Sequence, residues 1–213
     1  MEHSFWHNKW ENNHIAFHEP EGSPFLIKYA QVLLAAQKPR IFVPLCGKTR
    51  DIHWLLVNDC EVVGVELSEI AIRQLFEELE VTPHVSKFGD FSVYKYQELT
   101  VYVGDIFKLS SEIIGEVTGI YDRAALVALP EPLRSNYVKQ LTHITRNAPQ
   151  LLISFDYDQR VIPGPPFCVD IDMVSSLYRN IYNIELLERA ELEGGLKRKV
   201  AADSLVFKLT PKE

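Results

Sequence analysis

The sequence predicts an α/β fold: doubly wound, with a mostly parallel sheet of the seven-stranded type, helices on both faces, an antiparallel C-terminal edge and an N-terminal helical cap. Three observations predict it. Short apolar runs alternate with segments of helical periodicity from about residue 40 to residue 180. The runs at 41–43 (IFV) and 62–65 (VVGV) carry no polar alternation, as expected of strands covered on both faces. Beyond Asn180, two strand-like segments follow with little helical signal between them, close enough to pair antiparallel.

Taken in order, residues 5–13 suit a short helix with Trp6 and Trp10 four apart on one face. A Pro/Gly break at 19–24 follows. Residues 25–36 (FLIKYAQVLLAA) then repeat apolar side chains at helical spacing, and Pro39 closes the segment. Because this helix precedes the first sheet strand, residues 1–38 read as a cap on a single domain spanning 1–213. The first strand runs into the turn PLCGK, with Gly47, and a helix follows through Trp54 and Leu55. The second strand ends on Glu66. Ser68 is placed to cap the next helix, whose Ile70, Ala71, Leu75 and Leu79 suit a core-facing stripe. Strands at 91–96 and 99–103 lead into GDIF at 104–107, and a short strand at 119–122 ends just before Arg123. A helix at 132–146, a strong strand at 150–158, a Pro/Gly loop at 161–167 and a helix at 172–180 complete the alternation. Strands at 184–192 and 204–210 flank a basic loop, LKRK.

The bulk composition excludes several classes. Hydrophobic residues make up 46% and charged residues 24% of 213 residues, an ordinary globular balance. No apolar run approaches the roughly 18 residues that span a bilayer, and the polar, aromatic N-terminus does not resemble a secretory signal. A net charge of −7 argues against a general nucleic-acid binder. Three widely spaced cysteines (Cys46, Cys60, Cys168) suggest free thiols in a reducing cytoplasm. The expectation is a cytoplasmic monomer with a small-molecule partner, without nucleic acid or membrane.

The unit from Ile41 to Ser68 places a glycine and a carboxylate together at the carboxyl edge of a parallel sheet, where open α/β folds bind nucleosides. Dinucleotide folds place G-x-G-x-x-G at this turn to cradle a pyrophosphate, whereas PLCGKTRD has one glycine only. Glu66 is able to accept two charge-assisted hydrogen bonds from a ribose diol, and it would repel a 2′-phosphate. One ribose, no phosphate and an acidic strand end point to S-adenosyl-L-methionine, with S-adenosyl-L-homocysteine as product. In GDIF, an acid or backbone amide can read the adenine edge while an apolar side chain packs its face. The N-terminal tryptophans either cover the cofactor, where an indole beside a sulfonium gains roughly 0.5–2 kcal/mol, or anchor the core. Gly47 also admits a plain turn reading, and Glu66 a solvated strand end.

With these residues in view, the sequence resembles the thiopurine S-methyltransferase family. PLCGK at 44–48, VVGVELS at 62–68, YDRAALVAL at 121–129, GPPF at 164–167 and the Trp6/Trp10 pair carry the resemblance, which runs through essentially the whole chain. It implies cofactor contacts at Trp10, Leu45, Glu66 and Arg123, and places Asp105 and Ile106 where the family holds the adenine. The implied activity is methyl transfer to the sulfur of a thiopurine or related aromatic thiol. The basic loop at 197–199 matches the family only loosely, and no contact is carried over from it.

Arg123 is the candidate catalytic group: an always-charged guanidinium at the junction of cofactor and acceptor would favour the anionic acceptor. The alternative is a structural pair with Asp122. Phe17, His18 and Phe167 are candidates for the acceptor pocket, or for ordinary loop packing. His3/His7 and His14/His18 have i, i+4 spacing, but no carboxylate or cysteine arrangement completes a metal site, so no metal is expected. Cys46 has no histidine partner and reads as a packing residue. Competing functions are methylation of inorganic selenium or tellurium species, a nucleotide-dependent oxidoreductase, which the single-glycine turn counts against, and a non-catalytic nucleoside-binding module.

Overall fold

The apolar runs assemble into one nine-stranded sheet in the computed structural model, which describes residues 3–15 and 21–213. Its strands are β1 (Arg40–Val43), β2 (Glu61–Glu66), β3 (His84–Phe88), β4 (Phe91–Tyr96), β5 (Leu99–Val103), β6 (Gly119–Arg123), β7 (Gln150–Tyr157), β8 (Tyr182–Glu191) and β9 (Ala202–Pro211). Their order across the sheet is β3-β4-β5-β2-β1-β6-β7-β9-β8. The five central strands, β5 to β7, run parallel. At one edge β9 is antiparallel to β7 and to β8, as expected.

The other edge carries one strand that the sequence does not announce. Residues 84–88 form β3, which pairs antiparallel with β4, itself antiparallel to β5. Every residue of β3 is exposed, so the segment lacks the apolar run or alternation by which a strand is recognised. Its pairing comes from the Gly89–Asp90 turn, where Gly89 adopts φ +54°. The antiparallel pairing therefore caps both edges of the parallel centre.

Strand alternation divides the core into two layers. Ile41, Val43, Val62, Val101, Tyr121, Leu151 and Ile153 pack on one face with α2 (Pro24–Tyr29), α3 (Asp51–Val57) and α4 (Glu69–Glu78). Phe42, Val63, Val65, Ile120, Leu152 and Phe207 pack on the other with α5 (Ser111–Ile114), α6 (Glu131–Ile144) and α7 (Ile171–Tyr178). Both parities are buried in the central strands, which is why they read as unbroken apolar runs. The N-terminal helix α1 (His3–Glu11) lies near α4.

The sequence reading did not name α5, and two other helices differ from it in detail. The expected helix at 25–36 ends early: α2 stops at Tyr29, and a 3-10 turn, Ala30–Val32, closes it. The Leu33 and Leu34 amides both donate to the Ala30 carbonyl at 2.8 and 2.9 Å, so the last turn tightens before the chain enters β1. In α4 the buried stripe is Ala71, Ile72, Leu75 and Phe76, while Ile70 is exposed. Ile72, Leu75 and Phe76 are the side chains that pack on the sheet, while the Ser68 hydroxyl caps the helix as expected by accepting the Ala71 amide hydrogen at 3.4 Å.

The end of β5 is set by a close aromatic contact. A Cβ on Gly104 would come within 2.5 Å of the Phe91 ring, so only glycine lets the chain turn there toward Asp105. Gly104→Ala is expected to destabilise the fold by about 1–3 kcal/mol through overpacking, and a Phe91→Leu background should remove most of that loss. Urea unfolding checks this; an equal loss in both backgrounds would contradict the contact.

Candidate functional site

The turns that follow β1, β2, β5 and β6 meet at the carboxyl edge of the parallel strands, the usual binding edge of an open α/β sheet. They border a cavity of about 1170 Å³. That exceeds the roughly 300–1,000 Å³ typical of a pocket for one small ligand, and suits a donor and an acceptor together.

The β1 turn is tightly wound. Leu45 and Gly47 adopt φ of +46° and +51°, and holding a leucine in the left-handed region costs of order 1–3 kcal/mol. Ties to β2 hold the turn in place: the Cys46 amide donates to the Val65 carbonyl at 3.0 Å. The Cys46 sulfur fills the space over Gly64, where a Cβ would meet it at 3.0 Å. Burial, followed by the nearby Glu66 charge, pushes the Cys46 thiol well above its usual range. It is a protonated packing residue.

Glu66 closes the second turn. One carboxylate oxygen accepts the Gly47 amide hydrogen at 2.9 Å and the other accepts that of Ser68 at 2.9 Å. Burial raises its pKa, opposed by the Ser68, Gly47 and Leu67 amides. An ionised carboxylate offers roughly four acceptor positions, so capacity remains for ribose hydroxyls. The strand-end carboxylate is buried, which removes the solvated reading.

Trp10 is buried and brings its indole against Gly47, where an added Cβ would meet the ring at 3.2 Å. The close approach that Gly47 permits is thus made by α1. Asp105 caps the 3-10 turn Ile106–Lys108 by accepting the Phe107 amide hydrogen at 3.0 Å. Asp105 and Ile106 line the cavity together with Leu45, Gly47, Glu66 and Trp10.

Arg123 faces these turns from the end of β6. Its Nη1 donates to Asp51 Oδ2 at 2.8 Å and to Thr49 Oγ1 at 3.3 Å. The pair with Asp122 left open by the sequence does not form. Strand alternation sends Asp122 to the opposite face, where its carboxylate accepts from the Tyr137 hydroxyl at 2.7 Å and the Leu126 amide at 3.1 Å. Asp51 and Thr49 escaped sequence reading. The only local signal was an acid at the start of a helix, which is ordinary dipole chemistry.

Phe167 does not line the cavity, contrary to expectation. Its ring occupies the space beside Gly164 and lies 5.7 Å from the Arg134 guanidinium, while Pro165 and Pro166 form the wall. Phe17 and His18 lie outside the described residues. Residues that sequence reading left unassigned also reach the cavity: Lys9, Lys197 and Arg198. Lys197 donates to the Pro165 carbonyl at 2.7 Å. Burial first, then Lys9 and Lys199, lower its pKa. Among the described residues no cluster of three or more His, Cys, Asp or Glu side chains is arranged to hold a metal ion, and no helix is long and apolar enough to cross a membrane.

Comparison with known proteins agrees with this geometry. The family model for thiopurine S-methyltransferase matches residues 1–208. A thiopurine S-methyltransferase of Teredinibacter turnerae is 45% identical over 210 residues, covering 99% of this chain and 98% of its own. Among solved structures, a SAM-dependent methyltransferase of Anabaena variabilis superposes with TM-score 0.66 at 14% identity, covering 98% of this chain and 95% of its own. A 1,6-didemethyltoxoflavin-N1-methyltransferase of Burkholderia thailandensis, solved with S-adenosylhomocysteine, gives TM-score 0.63 at 13% identity, covering 98% and 87%. At such identities these structures show a shared fold.

Beside Arg123, burial pushes the Asp122 carboxyl up to about 6, against the Tyr137, Leu126 and Ala125 hydrogen bonds. An unfolded Asp titrates near ~3.9. The folded chain therefore holds this proton more tightly, and the group's contribution to stability falls as pH rises from about 4 through about 6. Asp122→Asn should flatten the stability profile between about pH 4 and 7, relative to wild type, by on the order of 2–3 kcal/mol. Urea unfolding across that range is the check, and parallel profiles for the two proteins would contradict it.

Proposed function

We propose, from the premise that this chain belongs to the thiopurine S-methyltransferase family, that it transfers a methyl group from S-adenosyl-L-methionine to the sulfur of an aromatic or heterocyclic thiol. The observation that carries this reading is the family match over residues 1–208. The cavity adds a matching donor set, with a buried carboxylate at one turn and a guanidinium at the facing one.

The residues present suit the donor. Glu66 would hold the ribose hydroxyls, Asp105 and Ile106 the adenine end, and Leu45, Gly47 and Trp10 the turn around it. When bound, the donor supplies an electrophilic methyl on a sulfonium centre. Arg123 would then favour the thiolate over the thiol, through a charge that does not titrate. A free thiol ionises near ~8.5, so this bias supplies the nucleophile without a dedicated strong base. Apolar walls, including Val127, Leu129, Leu133, Ile153 and Phe155, keep water from the reacting pair. Water exclusion suits a step in which opposite charges are annihilated. Most of the remaining work is orientation, worth up to roughly 7–11 kcal/mol in ideal cases.

We read residues 1–213 as a single domain with 1–38 as its cap, acting as a monomer. The unpaired Cys46, Cys60 and Cys168 support a reducing, cytoplasmic setting.

Transfer of labelled methyl to a panel of thiopurines, thiophenols and chalcogen oxyanions tests the reading. Label should appear on the thiol sulfur; tight donor binding with no labelled thiol would overturn it. In the same assay Arg123→Ala is expected to lower kcat/KM by about 10²-fold, the scale of one lost charge-stabilising donor. Unchanged kcat/KM and unchanged donor affinity would remove Arg123 from the mechanism.

A further inference from the structure

We infer that Asp51 is a positioning residue for methyl transfer, acting through Arg123 and fixing the adjoining cavity wall from the same carboxylate. The inference rests on the reading of Arg123 given above. Asp51 is the first residue of α3 and is buried. Its two oxygens receive hydrogen bonds from four places in the chain. Oδ1 accepts the Ser23 amide hydrogen at 2.7 Å. Oδ2 accepts from the Thr49 hydroxyl at 3.1 Å, the Tyr121 hydroxyl at 2.9 Å and Arg123 Nη1 at 2.8 Å.

A carboxylate held from four sides cannot turn, and a side chain bonded to it inherits that rigidity. One nitrogen of a planar guanidinium is thereby committed, which sets the directions of its other N–H groups. Thr49 adds a second fixed point, since its hydroxyl oxygen also accepts from Arg123 Nη1 at 3.3 Å. The orientation of the charge toward an acceptor is therefore set before any ligand binds, as efficient positioning requires.

Asp51 reaches the N-terminal region as well. Gly22 adopts φ +75°, and a Cβ there would lie 2.9 Å from Asp51 Oδ1. Glycine at 22 lets the Ser23 amide approach the carboxylate. Ser23, Pro24 and Phe25, which follow directly, line the cavity. One buried carboxylate thus registers a wall of the cavity against the guanidinium beside it.

A double-mutant cycle tests this. Asp51→Asn and Tyr121→Phe are each made in wild-type and Arg123→Ala backgrounds, and kcat and KM for a thiophenol are measured with donor affinity and thermal midpoint. Asp51→Asn should lower kcat at least tenfold in the wild-type background, and Tyr121→Phe should lower it by a smaller factor. Both losses should disappear once Arg123 is absent. Equal losses with and without Arg123 would show a merely structural role and overturn the inference. Should Asp51→Asn fail to fold, Tyr121→Phe decides alone, because it keeps the ring and removes one bond to the carboxylate. If Arg123→Ala itself leaves kcat/KM and donor affinity unchanged, the failure lies in the role given to Arg123, and the inference falls with it.

Discussion

The Glu66 carboxylate ties two turns to each other by accepting the Gly47 amide hydrogen on one side and the Ser68 amide hydrogen on the other. These turns begin α3 and α4 and end β1 and β2, so a single buried group sets the register of both crossovers at the sheet edge. Such a group is tolerated in the interior because backbone amides pair with it; an unpaired buried carboxylate would take up a proton instead. The amides do not use all of its roughly four acceptor positions, so capacity remains at the cavity it lines. The proposed donor site and the local fold therefore share this carboxylate.

The cavity lining at Arg123 follows the same logic with two charges. Arg123 and Asp51 are both largely withdrawn from water, and each makes the other tolerable. Removing one partner of a buried pair typically costs about 3–5 kcal/mol, because the survivor is left uncompensated. Placing a permanent cation at a cavity wall thus demands an anion behind it, and the chain recruits that anion from α3. Asp122, one residue earlier on β6, faces away and is satisfied by Tyr137 and the next turn. Adjacent residues on one strand serve different faces.

Much of this was legible in the sequence where the cause is local. The central strands are buried on both faces and so read as apolar runs, and the turns PLCGK and ELS announce themselves by a single glycine and a strand-ending acid. The β3 edge was not legible, because an exposed strand carries no burial pattern. The role of Asp51 was hidden for another reason. Three of its four partners lie 28, 70 and 72 residues away, and no local propensity records them. GPPF was placed near the site correctly as a loop, but which of its residues lines the cavity depends on backbone turns at Gly164 that composition does not reveal.

The central claim is that the buried Glu66 carboxylate is the donor's ribose anchor, and calorimetric titration with S-adenosylhomocysteine tests it most directly. Hydrogen bonds to a charged group are worth about 1.5–3 kcal/mol. Glu66→Gln, shown by thermal unfolding to be folded, should therefore bind at least about tenfold more weakly than wild type. Equal affinity for the two proteins would contradict the account.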